Sequence, residues 1–165
     1  MAADRWRVFL DTSVLISGLA SPTGGSAAIR DLGEAEELRI VLSRQVLVEA
    51  DRVLLRKFPQ LIERYRLFIK SLSPELADDP SPDAVRAAAA VIHPNAAPIL
   101  AAAKHAKVDY LVTLNTKHFL TPKVRAFYAA PIVTPGVFLA AFRDYWEKTR
   151  QVFFWWAECR TVSGT

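Results

Sequence analysis

The chain has 165 residues, 52% of them apolar and 23% charged, the composition of one globular domain large enough to bury a core. No stretch is long and apolar enough to span a bilayer, and the N-terminus, with Asp4, Arg5 and Arg7, lacks the apolar run of a signal peptide. The single Cys159 cannot close an internal disulfide, so disulfide scaffolds are excluded and a cytoplasmic location without membrane attachment is expected.

In chain order, Trp6–Leu10 is a run of large apolar and β-branched residues, expected as a short buried strand that stops at Asp11. A helical segment follows Thr12, and "SPTGG" at 21–25 is a loop. "SAAIRDLGEAEEL" is expected as a helix with Ser26 at its N-cap, and "RIVLS" at 39–43 as a second strand. Ser43 then caps "RQVLVEADRVLLRKF", where Val46, Leu47, Ala50, Val53 and Leu54 recur at helical spacing. Pro59 can open the next helix.

Residues 73–83, "SPELADDPSPD", read as a Pro- and acid-rich connector, followed by a short helical run, "AVRAAAAVI". "HPNAAPILAAAKHAK" gives a turn and a helix with Pro98 in its first turn. "VDYLVTLN" is the clearest later strand, ending at Asn115, and "TKHFLTPKVRAFY" is mixed. "APIVTP" is a last short strand, and "PGVFLAAFRDYWEKTR" a helix with Phe138, Leu139, Phe142 and Trp146 on its apolar face. Alternation of strands with helices predicts an α/β fold, a mainly parallel sheet covered on both faces. A single domain is expected over residues 1–150, with 151–165 an aromatic extension. Its Phe153, Phe154, Trp155 and Trp156 would cover their own core, or face a second subunit or partner.

A net charge of +4 and a pI of about 9.4 are compatible with a polyanionic partner without establishing one. Basic residues gather at Arg39, Arg44, Arg52, Arg56, Lys57, Arg64, Arg66 and Lys70, and again at Lys104, His105, Lys107, Lys117, His118, Lys123 and Arg125. Each group alone reads as a solvated helix face.

Ligands of open parallel sheets bind outside the carboxyl ends of the strands. Two expected strands end there in polar residues, one in Asp11-Thr12-Ser13, the other in Thr113 and Asn115. A carboxylate at the end of a buried strand needs a cation, a helix N-terminus or solvent to be tolerated. Glu49 lies beside its helix's apolar stripe and is either a third member of the site or a surface acid paired with Arg52. Such groups suit metal-assisted phosphodiester hydrolysis, in which a hard cation held by oxygen ligands activates water and neutralises charge on phosphate. The chain has no Walker loop, GxGxxG or GxSxG. Its one Cys and three scattered His make no zinc site. An aspartyl-phosphate enzyme would want Asp at position 13, where Ser stands.

"VFLDTSVLISGL", "SRQVLVEADRVLLRKFP" and "APILAAAKHAKVDYLVTLNTKHF" together resemble, in order and spacing, the motifs of the PIN-domain family, and within it the VapC-type toxins of toxin–antitoxin pairs. The resemblance covers roughly residues 6–140. It implies an α/β/α sandwich, RNA cleavage dependent on Mg²⁺ or Mn²⁺ with attack by a metal-activated water, an antitoxin partner and a homodimer. Position by position it implies metal-binding roles for Asp11, Glu49 and Asn115, with Ser13 or Thr12 ordering water and Thr113 beside Asn115. Relatives tend to read Pro-Asp-Asp-Ala-Pro where this chain reads Pro94-Asn95-Ala96-Ala97-Pro98, so an expected carboxylate falls on Ala96. Two expectations result. One is a ribonuclease with a reduced acid set, its two-metal form disfavoured. The other is a weakened or inactive PIN-like domain that binds RNA or a partner protein, with Asp11 tolerated by the N–H groups of the helix that follows it.

Overall fold

The computed structural model describes residues 5–162, and side chains as far as residue 151. The expectations for Phe153–Trp156 and Cys159 therefore concern side chains outside the described residues. Five parallel strands form the sheet in the order β3-β2-β1-β4-β5. They are β1 (Arg7–Leu10), β2 (Arg39–Leu42), β3 (Glu75–Leu76), β4 (Tyr110–Val112) and β5 (Ile132–Val133). Between them run α1 (Thr12–Ala20), α2 (Gly25–Glu34), α3 (Arg44–Lys57), α4 (Ile62–Leu72), α5 (Pro82–Ala89), α6 (Ala97–Ala106), α7 (Thr116–Phe119) and α8 (Pro122–Phe127), and α9 (Pro135–Val162) closes the chain. Helices cover both faces, the expected three-layer α/β/α sandwich.

The sheet centre follows from its apolar sequence. Val8 and Phe9 of β1, Val41 and Leu42 of β2 and Leu111 and Val112 of β4 are wholly buried, as strands covered on both faces must be. The register sets Val8 opposite Ile40 and Tyr110, and Phe9 opposite Val41 and Leu111. From β1 the chain builds outward to β2 and β3, then crosses back to lay β4 on the other side of β1. The reversal opens a crevice at the carboxyl ends of β1 and β4.

Three local expectations change. Residues 73–83 contain a two-residue strand, β3, which pairs Glu75 with Val41; so brief a strand leaves no alternation to read. Helix α2 starts at Gly25 rather than after Ser26. Gly24, at φ 100°, makes the turn and its carbonyl accepts from Ala28 N–H, which leaves Ser26 buried inside the helix. The mixed segment after Asn115 resolves into α7 and α8, and Thr121 caps the latter by accepting from Val124 N–H. Ser43 and Ser81 cap α3 and α5 in the same way.

Two clamps tie the layers together. Trp6, just ahead of β1, packs against Tyr110, Phe138, Phe142 and Tyr145 with ring centroids 4.8–6.0 Å apart, and so fastens α9 to the sheet. At the amino edge of the sheet, the Arg7 guanidinium pairs with Glu75 across β2 and donates to the carbonyls of Ala106 (2.7 Å) and Lys107 (3.3 Å). Asp109 belongs to this edge too, accepting from Arg7 N–H at 2.7 Å.

The hydrogen bond and charge of Arg7 hold the Glu75 carboxyl below the usual carboxylate range. Its stabilising effect is therefore complete at neutral pH and is lost as pH falls from the ordinary carboxylate value through the lowered one. Glu75→Gln should cost about 0.5–1 kcal/mol in denaturant unfolding at neutral pH, the size of a partly exposed pair. The difference from the parent should vanish in acid; a constant difference would assign the effect to packing.

Candidate metal and phosphodiester site

The crevice holds a cavity of about 470 Å³. Its wall includes Asp11, Thr12, Ser13, Glu49, Asn95, Ala96 and Asn115, together with His93 and His118. The polar residues expected at the ends of the first and fourth strands thus meet Glu49, which α3 brings in from a different part of the chain. The side chains that line the cavity include no lysine or arginine among the described residues.

Asp11 sits at the N-cap of α1, with its backbone N–H donating to Val112 and locking the ends of β1 and β4 together at 3.0 Å. It is 5% exposed. Its carboxylate makes no capping bond to the helix. Instead Oδ2 accepts from the hydroxyls of Ser13 and Thr113, both at 2.8 Å. The expectation that the N–H groups of the helix take this charge by hydrogen bonding is therefore corrected: at this backbone geometry two hydroxyls satisfy the carboxylate. Those hydroxyls are fixed in turn, Ser13 Oγ accepting from Leu114 N–H (3.1 Å) and Thr113 Oγ1 from Asn115 N–H (2.9 Å). Thr113, wholly buried, does not line the cavity; it holds Asp11 from behind.

Glu49 is half-buried and forms no ion pair among the described residues. Arg52 acts on it only at longer range. Burial first, and then the charge of Asp11, push the Glu49 carboxyl above its ordinary value. The nearby Thr12 hydroxyl and Arg52 offset part of the rise. The Thr12 hydroxyl is itself buried, with no hydrogen-bond partner of normal geometry. Two carboxylates that repel each other across a cavity without a lining cation, beside an unpartnered oxygen, suit one hard divalent ion. Among the described residues no three His, Cys, Asp or Glu are grouped so as to hold a metal by themselves. Ala96, buried at the N-cap of α6, adds no donor where the resemblance implied a carboxylate. Asn95 is exposed and its backbone N–H donates to His93 Nδ1 at 3.2 Å.

The histidines are what sequence reasoning missed. Two of the three, read as scattered, come together here with rings stacked 5.3 Å apart and 10° from parallel. The available signal was position: His93 opens the turn before α6, and His118 follows Asn115 by one helical turn.

Two consequences are measurable. Thr113→Val removes a buried donor to Asp11 and an acceptor for Asn115 N–H, and should cost about 2–3 kcal/mol in denaturant unfolding; a loss within error would mean that water replaces the hydroxyl. The folded chain binds the Glu49 proton more tightly than the unfolded chain, so stability falls as pH rises through and just above the ordinary carboxylate range. Glu49→Gln should therefore raise the Tm of the metal-free chain at neutral pH by roughly 1–3 °C. A lowered Tm would show that the carboxylate makes a stabilising contact instead.

Similar proteins agree with this architecture. No curated protein sequence matches the chain. Among solved structures, PAE2754 from Pyrobaculum aerophilum aligns with TM-score 0.57 and 17% identity, over 84% of this chain and 90% of that one. VapBC2 from Rickettsia felis, solved bound to a DNA fragment from its promoter, aligns with TM-score 0.56 and 17% identity over 78% and 98% of the two chains. FitAcB from Neisseria gonorrhoeae gives 0.56 and 19% over 78% and 97%. At these identities the likeness is one of fold. The PIN domain model matches residues 7–117, from the first residue of β1 to the start of α7, and by that match the chain belongs to the PIN-domain family.

Proposed function

We propose that this protein is a PIN-type ribonuclease working with a single divalent cation, and the toxin component of a toxin–antitoxin pair. The observation that carries the reading is the facing pair Asp11 and Glu49 in a cavity whose lining side chains include no lysine or arginine among the described residues. Asp11, Glu49 and the amide oxygen of Asn115 would hold Mg²⁺ or Mn²⁺. A cation there supplies an activated water and neutralises charge developing on the phosphodiester. The protein's own part is to fix Asp11 with the Ser13 and Thr113 hydroxyls, so that its second oxygen is left for the ion. It also keeps Glu49 close to Asp11 at the expense of repulsion that a cation relieves. The fold likeness to VapBC2 and FitAcB supports the toxin reading and an antitoxin partner; the homodimer rests on the resemblance of the motifs alone. Among the described residues no helix is long and apolar enough to cross a membrane.

A second reading is favoured by one observation, the methyl group of Ala96 in the cavity wall. On it the site has lost its ion, and the domain binds RNA or a partner without cutting.

Calorimetric titration with Mn²⁺ separates the two. The native chain should bind, Asp11→Asn should abolish binding, and Ala96→Asp should tighten it about tenfold by adding a carboxylate. Cleavage of single-stranded RNA should follow the same order. Binding by Ala96→Asp alone would establish the second reading.

A further inference from the structure

We propose that His93 and His118 form a clamp for the RNA backbone, binding the strand independently of the cation held by Asp11 and Glu49. The inference uses the reading above only in taking RNA as the ligand. The two rings stack at 5.3 Å in the wall of the same cavity, although they come from the turn before α6 and from α7. Each Nδ1 is turned to the protein: that of His93 accepts from Asn95 N–H at 3.2 Å, and that of His118 meets the Asn115 amide nitrogen at 3.4 Å. In the tautomer whose Nδ1 accepts, Nε2 carries the proton, and each imidazole then presents one N–H donor that the protein does not use among the described residues. No group of three His, Cys, Asp or Glu placed to hold a metal joins the imidazoles to the carboxylates among the described residues. The cavity is thus divided. The acids form a cation-seeking part, and the histidines present two N–H donors suited to phosphate oxygens. A volume of about 470 Å³ is that of a ligand-sized pocket. In a site with few carboxylates, a grip on the strand that needs no metal keeps the scissile phosphate in place while one ion binds weakly.

The test is fluorescence anisotropy of a short labelled single-stranded RNA in EDTA, paired with Mn²⁺ calorimetry on the same proteins, all with folding checked by circular dichroism and Tm. The parent should bind RNA in EDTA. His93→Ala and His118→Ala should each weaken that binding about tenfold, as loss of a hydrogen bond to a charged group does, and leave Mn²⁺ affinity within twofold. His93→Gln and His118→Gln, which keep an N–H donor at similar reach, should recover part of the loss. Asp11→Asn should show the converse, retaining RNA binding in EDTA and losing Mn²⁺. Absence of RNA binding by the parent in EDTA, or equal binding by the alanine variants, would overturn the clamp. So would a fall in Mn²⁺ affinity in the histidine variants, which would make the rings part of the metal site through Asn115. A parent that binds no Mn²⁺ and cuts no RNA, yet loses RNA affinity with the histidines, would remove the nuclease reading and leave the clamp standing.

Discussion

The structure turns on one carboxylate. Asp11 is almost wholly buried at the end of the central strand, where an unpaired charge would be untenable, and its backbone and side chain do different jobs. The backbone N–H seals the ends of β1 and β4 together. The side chain accepts two hydroxyl hydrogen bonds on a single oxygen, one from the first turn of its own helix and one from the residue just past β4. Those hydroxyls accept backbone N–H groups of Leu114 and Asn115, so the loop that carries Asn115 is shaped by the same network that satisfies Asp11. Losing the Thr113 hydroxyl removes one of the two donors to Asp11 and the acceptor of Asn115 N–H together.

Around this network the sheet order supplies the cavity. Because β2 and β4 lie on opposite sides of β1, the connections leaving β1 and β4 diverge and cannot cover the strand ends. At the other end of the sheet the situation is reversed. Arg7 draws β1, β3 and the segment before β4 together through Glu75 and the carbonyls of Ala106 and Lys107. The charged side chains at the amino edge are mutually neutralised, while those at the carboxyl edge repel. Paired charges such as Arg7 and Glu75 stabilise the sheet, whereas two acids on a cavity wall that carries no lysine or arginine among the described residues are suited to take a ligand.

The electrostatic character of the cavity follows from what is missing as much as from what is present. With Ala96 in place of an acid, the wall has two carboxylates, and Glu49 already binds its proton more tightly than an ordinary glutamate. A third would increase the repulsion in the free protein and the attraction for an ion in the same stroke. Asn115, His93 and His118 are the further polar side chains of that wall beside Asn95, Thr12, Ser13 and Ser17.

The sequence by itself determined the fold class, the helical and strand periodicities and the two strand ends that carry polar residues, because each of these is a local pattern: apolar runs of strand length, apolar positions at helical spacing, an acid or amide where the run stops. The resemblance to the PIN motifs added one expectation that spacing alone did not carry, a carboxylate where Ala96 stands. Tertiary structure decided the rest. Glu49 had two equivalent readings until α3 packed it against the crevice and withheld an ion pair with Arg52. Strand β3 was too short to show a pattern and exists because β2 offers an open edge and Arg7 a partner for Glu75. His118 lies 25 positions after His93, and no periodicity links them; only the tertiary placement of the turn before α6 and of α7 stacks one ring on the other. Nor could spacing foretell that hydroxyls rather than helix N–H groups would hold Asp11, because one of those hydroxyls is supplied by Thr113, which becomes its neighbour only when β4 is laid beside β1.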